Sequence, residues 1–256
     1  MANTSSGGDQ TIQAVERAFE IIAYLRESGP ATGTEVADAL DLTSSTAHIY
    51  LKTLKTVGYV IQEDGKYKMG LRFLRDGISV QESIPLYHKA KSSIDKLASE
   101  TGEGVGLAVE EDGQRVTLYH SRGSRSVHDH ASIGEFTNMH WTALGKALLA
   151  YKDPDEINAI LDRYGMPQAT DQTITDRNKL FEELEQIREC GYALESEDRR
   201  EGLRSVALPI RVKQETVGSI SITGPTHRMT DDYVESELVD MLREEVDVIK
   251  VDYLYE

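Results

Sequence analysis

The first seventy residues carry a fixed order of signals, three helical stretches and then a two-stranded turn, and few small folds satisfy it. Apolar residues at Ile12, Val15, Phe19, Ile22 and Leu25 recur at helical spacing and give way to Ser28-Gly29-Pro30, which ends a helix. Thr32-Gly33-Thr34-Glu35 has the form of a capping box, in which a hydroxyl and a carboxylate each satisfy an orphan amide, and Val36, Ala37 and Leu40 provide a short apolar face. Thr43 is placed to cap a third helix through Val57, with Ala47, Leu51 and Leu54 facing inward and Gly58 ending it. Tyr59-Val60-Ile61 and Tyr67-Lys68-Met69 then flank Glu63-Asp64-Gly65, a hairpin signature. Three short helices closed by a hairpin make a winged helix-turn-helix, whose third helix enters the DNA major groove. Small helical domains of this shape also serve in protein contacts, so the order alone leaves both uses open.

Charge bears on that choice. The chain has 44 acidic and 28 basic side chains, a formal charge of −16, and a protein this negative repels polyanions at long range. The excess is uneven: 11 acids stand against 8 bases in residues 1–82, and 33 against 20 in residues 83–256. Within residues 42–75 the sign reverses, because Lys52, Lys55, Lys66, Lys68, Arg72 and Arg75 outweigh Glu63 and Asp64. A basic island on an acidic chain marks a DNA contact or a solvated helix face. Acidic excess with only 12 lysines resembles the composition of halophilic archaeal proteins. At about 1 M salt the Debye length falls to roughly 3 Å, which screens the overall charge from DNA and equally weakens counterion release.

Beyond the hairpin, Leu71–Gln81 reads as a linking helix broken by Ser83-Ile84-Pro85, and Leu86–Thr101 as a second amphipathic helix closed by Gly102. Val105–Val109, an Asp112-Gly113 turn and Val116–Tyr119 read as strands, with a further strand at Ser126–Ser132. Ala143–Tyr151, Asp155–Tyr164 and Asp176–Cys190 read as helices, Tyr192–Glu195, Val206–Arg211 and Val217–Thr223 as strands, and Thr230–Leu254 as one long closing helix. Antiparallel turns mixed with helices argue an α+β domain with helices packed on a sheet. The expected domains are a disordered tail at 1–10, the winged helix-turn-helix at 11–70, a linker helix at 71–85 and a second domain at 86–256. Cys190 has no second cysteine to pair with, no apolar run is long enough to span a membrane, and the N-terminus lacks a basic region before an apolar stretch; a cytoplasmic location is expected.

Several strings, in register, resemble the IclR family of transcription regulators from Ile12 to the last helix. Val15-Glu16-Arg17-Ala18 is similar to the family's first-helix signature, and Ser45-Thr46-Ala47-His48 to its Ser-Thr-x-His in the recognition helix. In the second domain, the string from His140 through Ala147, then Thr173-Ile174-Thr175-Asp176, Glu201-Gly202-Leu203-Arg204-Ser205, and the string from Ser219 through Pro225 follow the family's order. The resemblance implies a homodimer or tetramer that binds double-stranded operator DNA through its N-terminal domain. It further implies a GAF-like α/β domain at the C-terminus that binds a small carboxylate effector, an organic, sugar or aromatic acid, with no catalysis and no cofactor. Ser44 stands where the family often has a basic residue, and Ser205 where it often has cysteine.

The expected DNA contacts are the hydroxyls Thr43, Ser44, Ser45 and Thr46 at the front of the third helix, which position the helix, and His48, Tyr50 and Lys52 further along. Thr43 serves equally well as a plain helix cap. Lys66 and Lys68 on the hairpin are candidates for phosphate contacts or for simple solvation, and Arg17 for a phosphate contact or for fixing the first helix. The resemblance places a ligand carboxylate at the amides of Ala143 and Leu144, which begin a helix. It adds Ser205, Ser221 and Thr223 as hydroxyl partners, Glu195 as an acceptor for a ligand hydroxyl, and Leu203, His140 and His130 as further ligand contacts. Ser221 and Thr223 lie two apart on a strand and so share a face. His120, His128, Asp129, His130 and His140 invite a second reading, a metal-dependent sensor or enzyme in which His128 and His130 chelate from one strand face; lining a pocket or a core is the alternative for these rings. Cys190 ends a helix beside Glu189 and reads as a packed thiol rather than a nucleophile.

Overall fold

Local capping decides where the N-terminal helices begin. The computed structural model describes residues 11–127 and 132–254 and divides into two compact units, Met1–Val80 and Gln81–Glu256. The first unit holds α1 (Gln13–Ser28), α2 (Gly33–Ala39) and α3 (Ser44–Thr56). The capping box forms as read: Thr32 Oγ1 accepts from the Glu35 amide at 3.3 Å, and the Glu35 carboxylate accepts from the Thr32 amide at 2.7 Å. Thr43 Oγ1 accepts from the Thr46 amide at 3.2 Å and starts α3. The strands β1 (Val60–Glu63) and β2 (Lys66–Met69) pair with Glu63 opposite Lys66, so Asp64 and Gly65 alone make the turn. Both have positive φ, 49° and 79°, the combination a primed hairpin turn requires. Ile21, Leu25, Val36, Leu51, Leu54, Val60 and Tyr67 form the core. α4 (Arg72–Ser83) follows, and the division between the units falls inside it.

In the second unit, α5 (Pro85–Thr101) begins on a proline, which fits the first turn of a helix, and ends on Gly102 in the left-handed region. A six-stranded antiparallel sheet follows: β3 (Gly104–Glu111), β4 (Gln114–Arg122), β5 (Phe136–Thr137), β6 (Ala193–Ser196), β7 (Leu203–Val212) and β8 (Glu215–Pro225), in spatial order β5-β4-β3-β8-β7-β6. Strict alternation gives the sheet two different faces. Leu107, Val206, Leu208, Ile210, Ile220 and Ile222 point to one side and pack with α5 and α10 (Val239–Leu254). The residues between them are small or polar: Gly106, Ala108, Ser205, Ala207, Ser219, Ser221 and Thr223. Ala108, Ala193 and Ala207 pack with α6 (Ala143–Leu149), α7 (Pro154–Tyr164) and α8 (Arg177–Cys190). α6 is held close by Ser219 Oγ, which donates to the Leu144 carbonyl at 3.0 Å. Gly145 is obligatory there, since a Cβ would stand 2.2 Å from the Met139 carbonyl oxygen.

Two sequence expectations need correction. Of the strand expected at Ser126–Ser132, the described residues Ser126, Val127 and Ser132 are not in strand conformation, and residues 128–131 lie outside the described ones. The strand that borders β4 is instead β5, paired through Arg115 with Thr137 and Val116 with Phe136. The helix expected over Thr230–Leu254 is three segments: α9 (Asp231–Tyr233), a π-helical turn at Val234–Leu238 that buries both of those residues, and α10. Residues 1–10, read as a tail, also lie outside the described residues.

Candidate functional site

Ala47, Leu51 and Leu54 turn one side of α3 into the core, so at about 100° per residue the opposite side presents Ser45, Ile49, Lys52 and Thr56, with His48 beside them. Ser44, Ser45, His48 and Lys52 are exposed as expected. Tyr50 is half-buried and packs on the core of the unit. The front of the helix is internally bonded: Thr43 Oγ1 lies 3.0 Å from Ser45 Oγ and 2.8 Å from Thr46 Oγ1. Lys68 is paired with Glu63, Arg75 with Asp76 at 2.9 Å, and Arg17 with Glu20 at 2.6 Å. Lys55 Nζ donates to Gln62 Oε1 at 3.1 Å, and Arg72 donates to the Val57 carbonyl. Among the described residues Lys52, Lys55, Lys66 and Arg72 make no ion pair, and of these four Lys52 and Lys66 also make no side-chain hydrogen bond, which leaves them as the cations of the island most open to an external anion. Sequence reading passed over Ile49, which is 64 % exposed.

The second site is the cavity over the small-residue face of the sheet. Ala143, Leu144, Glu195, Leu203, Ser205, Ser221 and Thr223 all line it, together with Gly104 and Gly106, whose missing side chains deepen its floor. Cross-strand register aligns the polar group: Glu195 opposes Ser205, Ser205 opposes Thr223, and Thr223 opposes Gly104. Ser205 Oγ and Thr223 Oγ1 are 2.9 Å apart. Glu195 is 5 % exposed, and burial raises its carboxyl to about 7 against the opposing pull of the Ser205 hydroxyl. His140 is buried but outside this lining: its Nε2 lies 3.2 Å from the Pro167 carbonyl, and burial pushes its pKa below the ordinary histidine value. His130, with His128, lies outside the described residues.

Arg115 was not foreseen. It lines the cavity at 2 % exposure, with Nε donating to Thr137 Oγ1 and Nη1 to Thr117 Oγ1, both at 2.7 Å. Its signal in the sequence is the period-two step Arg115-Thr117 after the Asp112-Gly113 turn, which sends both side chains to one face. Arg122, Arg199 and Arg200 also line the cavity. Behind it, Lys146 Nζ donates to Glu183 Oε1 at 2.6 Å and to Asp198 Oδ2 at 2.7 Å. Burial disfavours this ammonium, but the two carboxylates outweigh burial and hold its pKa above the ordinary lysine value. Asp198 in turn receives Thr173 Oγ1 on its carbonyl at 2.6 Å and the Ser196 amide on its carboxylate at 3.2 Å.

A winged helix-turn-helix unit followed by a helix-covered sheet with a polar internal cavity defines a DNA-binding regulator that carries an effector domain. Residues 14–64 match the IclR helix-turn-helix domain and residues 78–251 the bacterial transcriptional regulator IclR C-terminal domain, so the chain belongs to the IclR family of transcriptional regulators. It is 34% identical over 224 residues to the HTH-type transcriptional regulator XynR of Escherichia coli, covering 86% of this chain and 89% of that one. It is 32% identical over 252 residues to the probable HTH-type transcriptional regulator ArcR of Halobacterium salinarum, covering 96% of each. The crystal structure of a transcriptional regulator from Rhodococcus sp. RHA1 superimposes with a TM-score of 0.83 at 28% identity, covering 94% of this chain and 98% of that one. These relatives are transcriptional regulators, which does not favour the alternative of a metal-dependent sensor or enzyme using His128 and His130.

Proposed function

We propose that this regulator docks α3 on operator DNA through Ser44, Ser45, His48 and Lys52, with Thr43 and Thr46 fixing the front of the helix. Lys66 contacts backbone phosphate; Lys68 and Arg17 serve chiefly their own partners, Glu63 and Glu20. The effector is a hydroxylated aliphatic carboxylic acid held in the sheet cavity. The observation that carries this reading is the lining itself: guanidinium groups from Arg115 and its neighbours beside the hydroxyls of Thr117, Ser205, Ser221 and Thr223, with no Phe, Tyr or Trp among the described lining residues. The positive charge of this wall attracts a carboxylate, and Glu195 with the serine and threonine row matches the polarity of ligand hydroxyls.

The chain works as a homodimer or tetramer in the cytoplasm. Support for self-association comes from Val15 and Phe19 on α1 and Leu74 and Ile78 on α4, large apolar side chains left exposed within the first unit. Thermal-shift screening of the full chain tests the effector assignment, because a ligand that binds only the folded form raises its stability by mass action. Hydroxy acids raise the melting temperature and Arg115→Gln abolishes the shift. Silence toward all aliphatic acids at millimolar concentration, or a response confined to aromatic acids, would overturn it.

A further inference from the structure

The outward side of α3 is unusual in what it leaves available for base recognition. Thr53 Oγ1 donates to the Ile49 carbonyl at 2.8 Å and Thr56 Oγ1 to the Lys52 carbonyl at 2.9 Å, so both hydroxyls bond back into the helix. Ser45 Oγ is engaged with Thr43. Lys52 suits a phosphate. Nearly diametrically opposite Ala47, Leu51 and Leu54 stands an aliphatic group, Ile49, 64 % exposed. An isoleucine on a free surface gains nothing from this position, since it leaves a full apolar side chain in water.

In the major groove only one base-pair feature is apolar, the C5 methyl of thymine. We propose that Ile49 is a specificity-determining residue that reads this methyl group, so that each half-site contains a thymine packed against it. The proposal rests on the reading that α3 enters the groove. The contact is direct: it distinguishes thymine from cytosine at the same edge without a hydrogen bond, and its flanks, Ser45, His48 and Lys52, supply the polar and cationic contacts that set the helix at the right depth.

The test uses the full chain. A preferred duplex is first selected from a random-sequence library, and each thymine is then replaced singly by deoxyuridine, which removes the methyl and keeps every hydrogen-bonding atom. Wild-type protein loses about fourfold in affinity at one thymine position per half-site, the factor expected for exposing one methyl group. Ile49→Ala, a change at an exposed position, loses that discrimination and binds the thymine and deoxyuridine duplexes equally. If no duplex is selected at all, the DNA reading of α3 fails. If a duplex is selected but every deoxyuridine change is neutral, or Ile49→Ala keeps the full thymine preference, the Ile49 assignment is overturned while the DNA reading stands.

Discussion

Lys146 Nζ and Asp198 Oδ2 lie 2.7 Å apart in the interior, joining the helix over the cavity to the segment that carries Arg199 and Arg200 into the cavity wall. Lys146 is also the donor to Glu183, so its removal leaves two carboxylates facing each other with Asp198 buried. Lys146→Met is therefore expected to cost about 3–5 kcal/mol of stability, the range for breaking a buried ion pair on one side. Denaturant unfolding measures it. A loss below about 1 kcal/mol would mean that the cluster is solvated.

Glu195 makes stability depend on pH in a defined direction. Burial raises its carboxyl from 4.5 to about 7, so the folded state holds this proton more tightly than the unfolded state does. The favourable contribution is complete below pH 4.5 and is lost as pH rises to about 7, on the order of 3 kcal/mol across that window. Glu195→Gln removes the change. Between pH 5.5 and 8 the wild type is predicted to lose unfolding free energy through this group while the variant does not, so the variant gains relative to wild type at the higher pH.

Salt dependence counts the cations that reach phosphate. Of the six in residues 42–75, Lys52 and Lys66 alone make neither an ion pair nor a side-chain hydrogen bond among the described residues. Two phosphate contacts per DNA-binding unit give a slope of about −1.8 in log affinity against log salt, whereas six would give about −5.4. Fluorescence anisotropy across a salt series on the selected duplex distinguishes them.

The β7–β8 hairpin turns on Lys213 and Gln214, both at positive φ, 50° and 74°, where side-chain residues are strained. Gln214→Gly relieves the more extreme of the two and is expected to stabilise the second unit by about 0.5–1 kcal/mol. Thermal unfolding of the variant is the check.

That hairpin also marks where sequence reading stops. The Thr32 and Thr43 caps, the Asp64-Gly65 and Asp112-Gly113 turns and the alternation of Ser219 to Thr223 were legible because each is a local pattern with a local cause. Lys213-Gln214 carries no turn signature; its geometry comes from the strands it joins. Tyr50 follows the same lesson, since its orientation depends on the packing of neighbouring helices rather than on its own chemistry. Arg115 was missed because a charged residue in a strand reads as solvent-facing, and only the assembled sheet turns it inward. Ile49 was missed for the opposite reason: an aliphatic residue reads as core, although the spacing of Ala47, Leu51 and Leu54 already places it on the other side. The cavity-lining row Glu195, Ser205 and Thr223 was accessible only through family resemblance, since three separate strands bring it together.

If the exposed side of α3 recognises duplex DNA by sequence, its side chains leave a footprint on the selected duplex that depends on them. Ser45→Ala combined with His48→Ala is predicted to erase the footprint, with affinity falling at least about tenfold, while the oligomeric state measured by light scattering stays that of the wild type. An unchanged footprint from the double variant would overturn the assignment of this side of α3 to DNA.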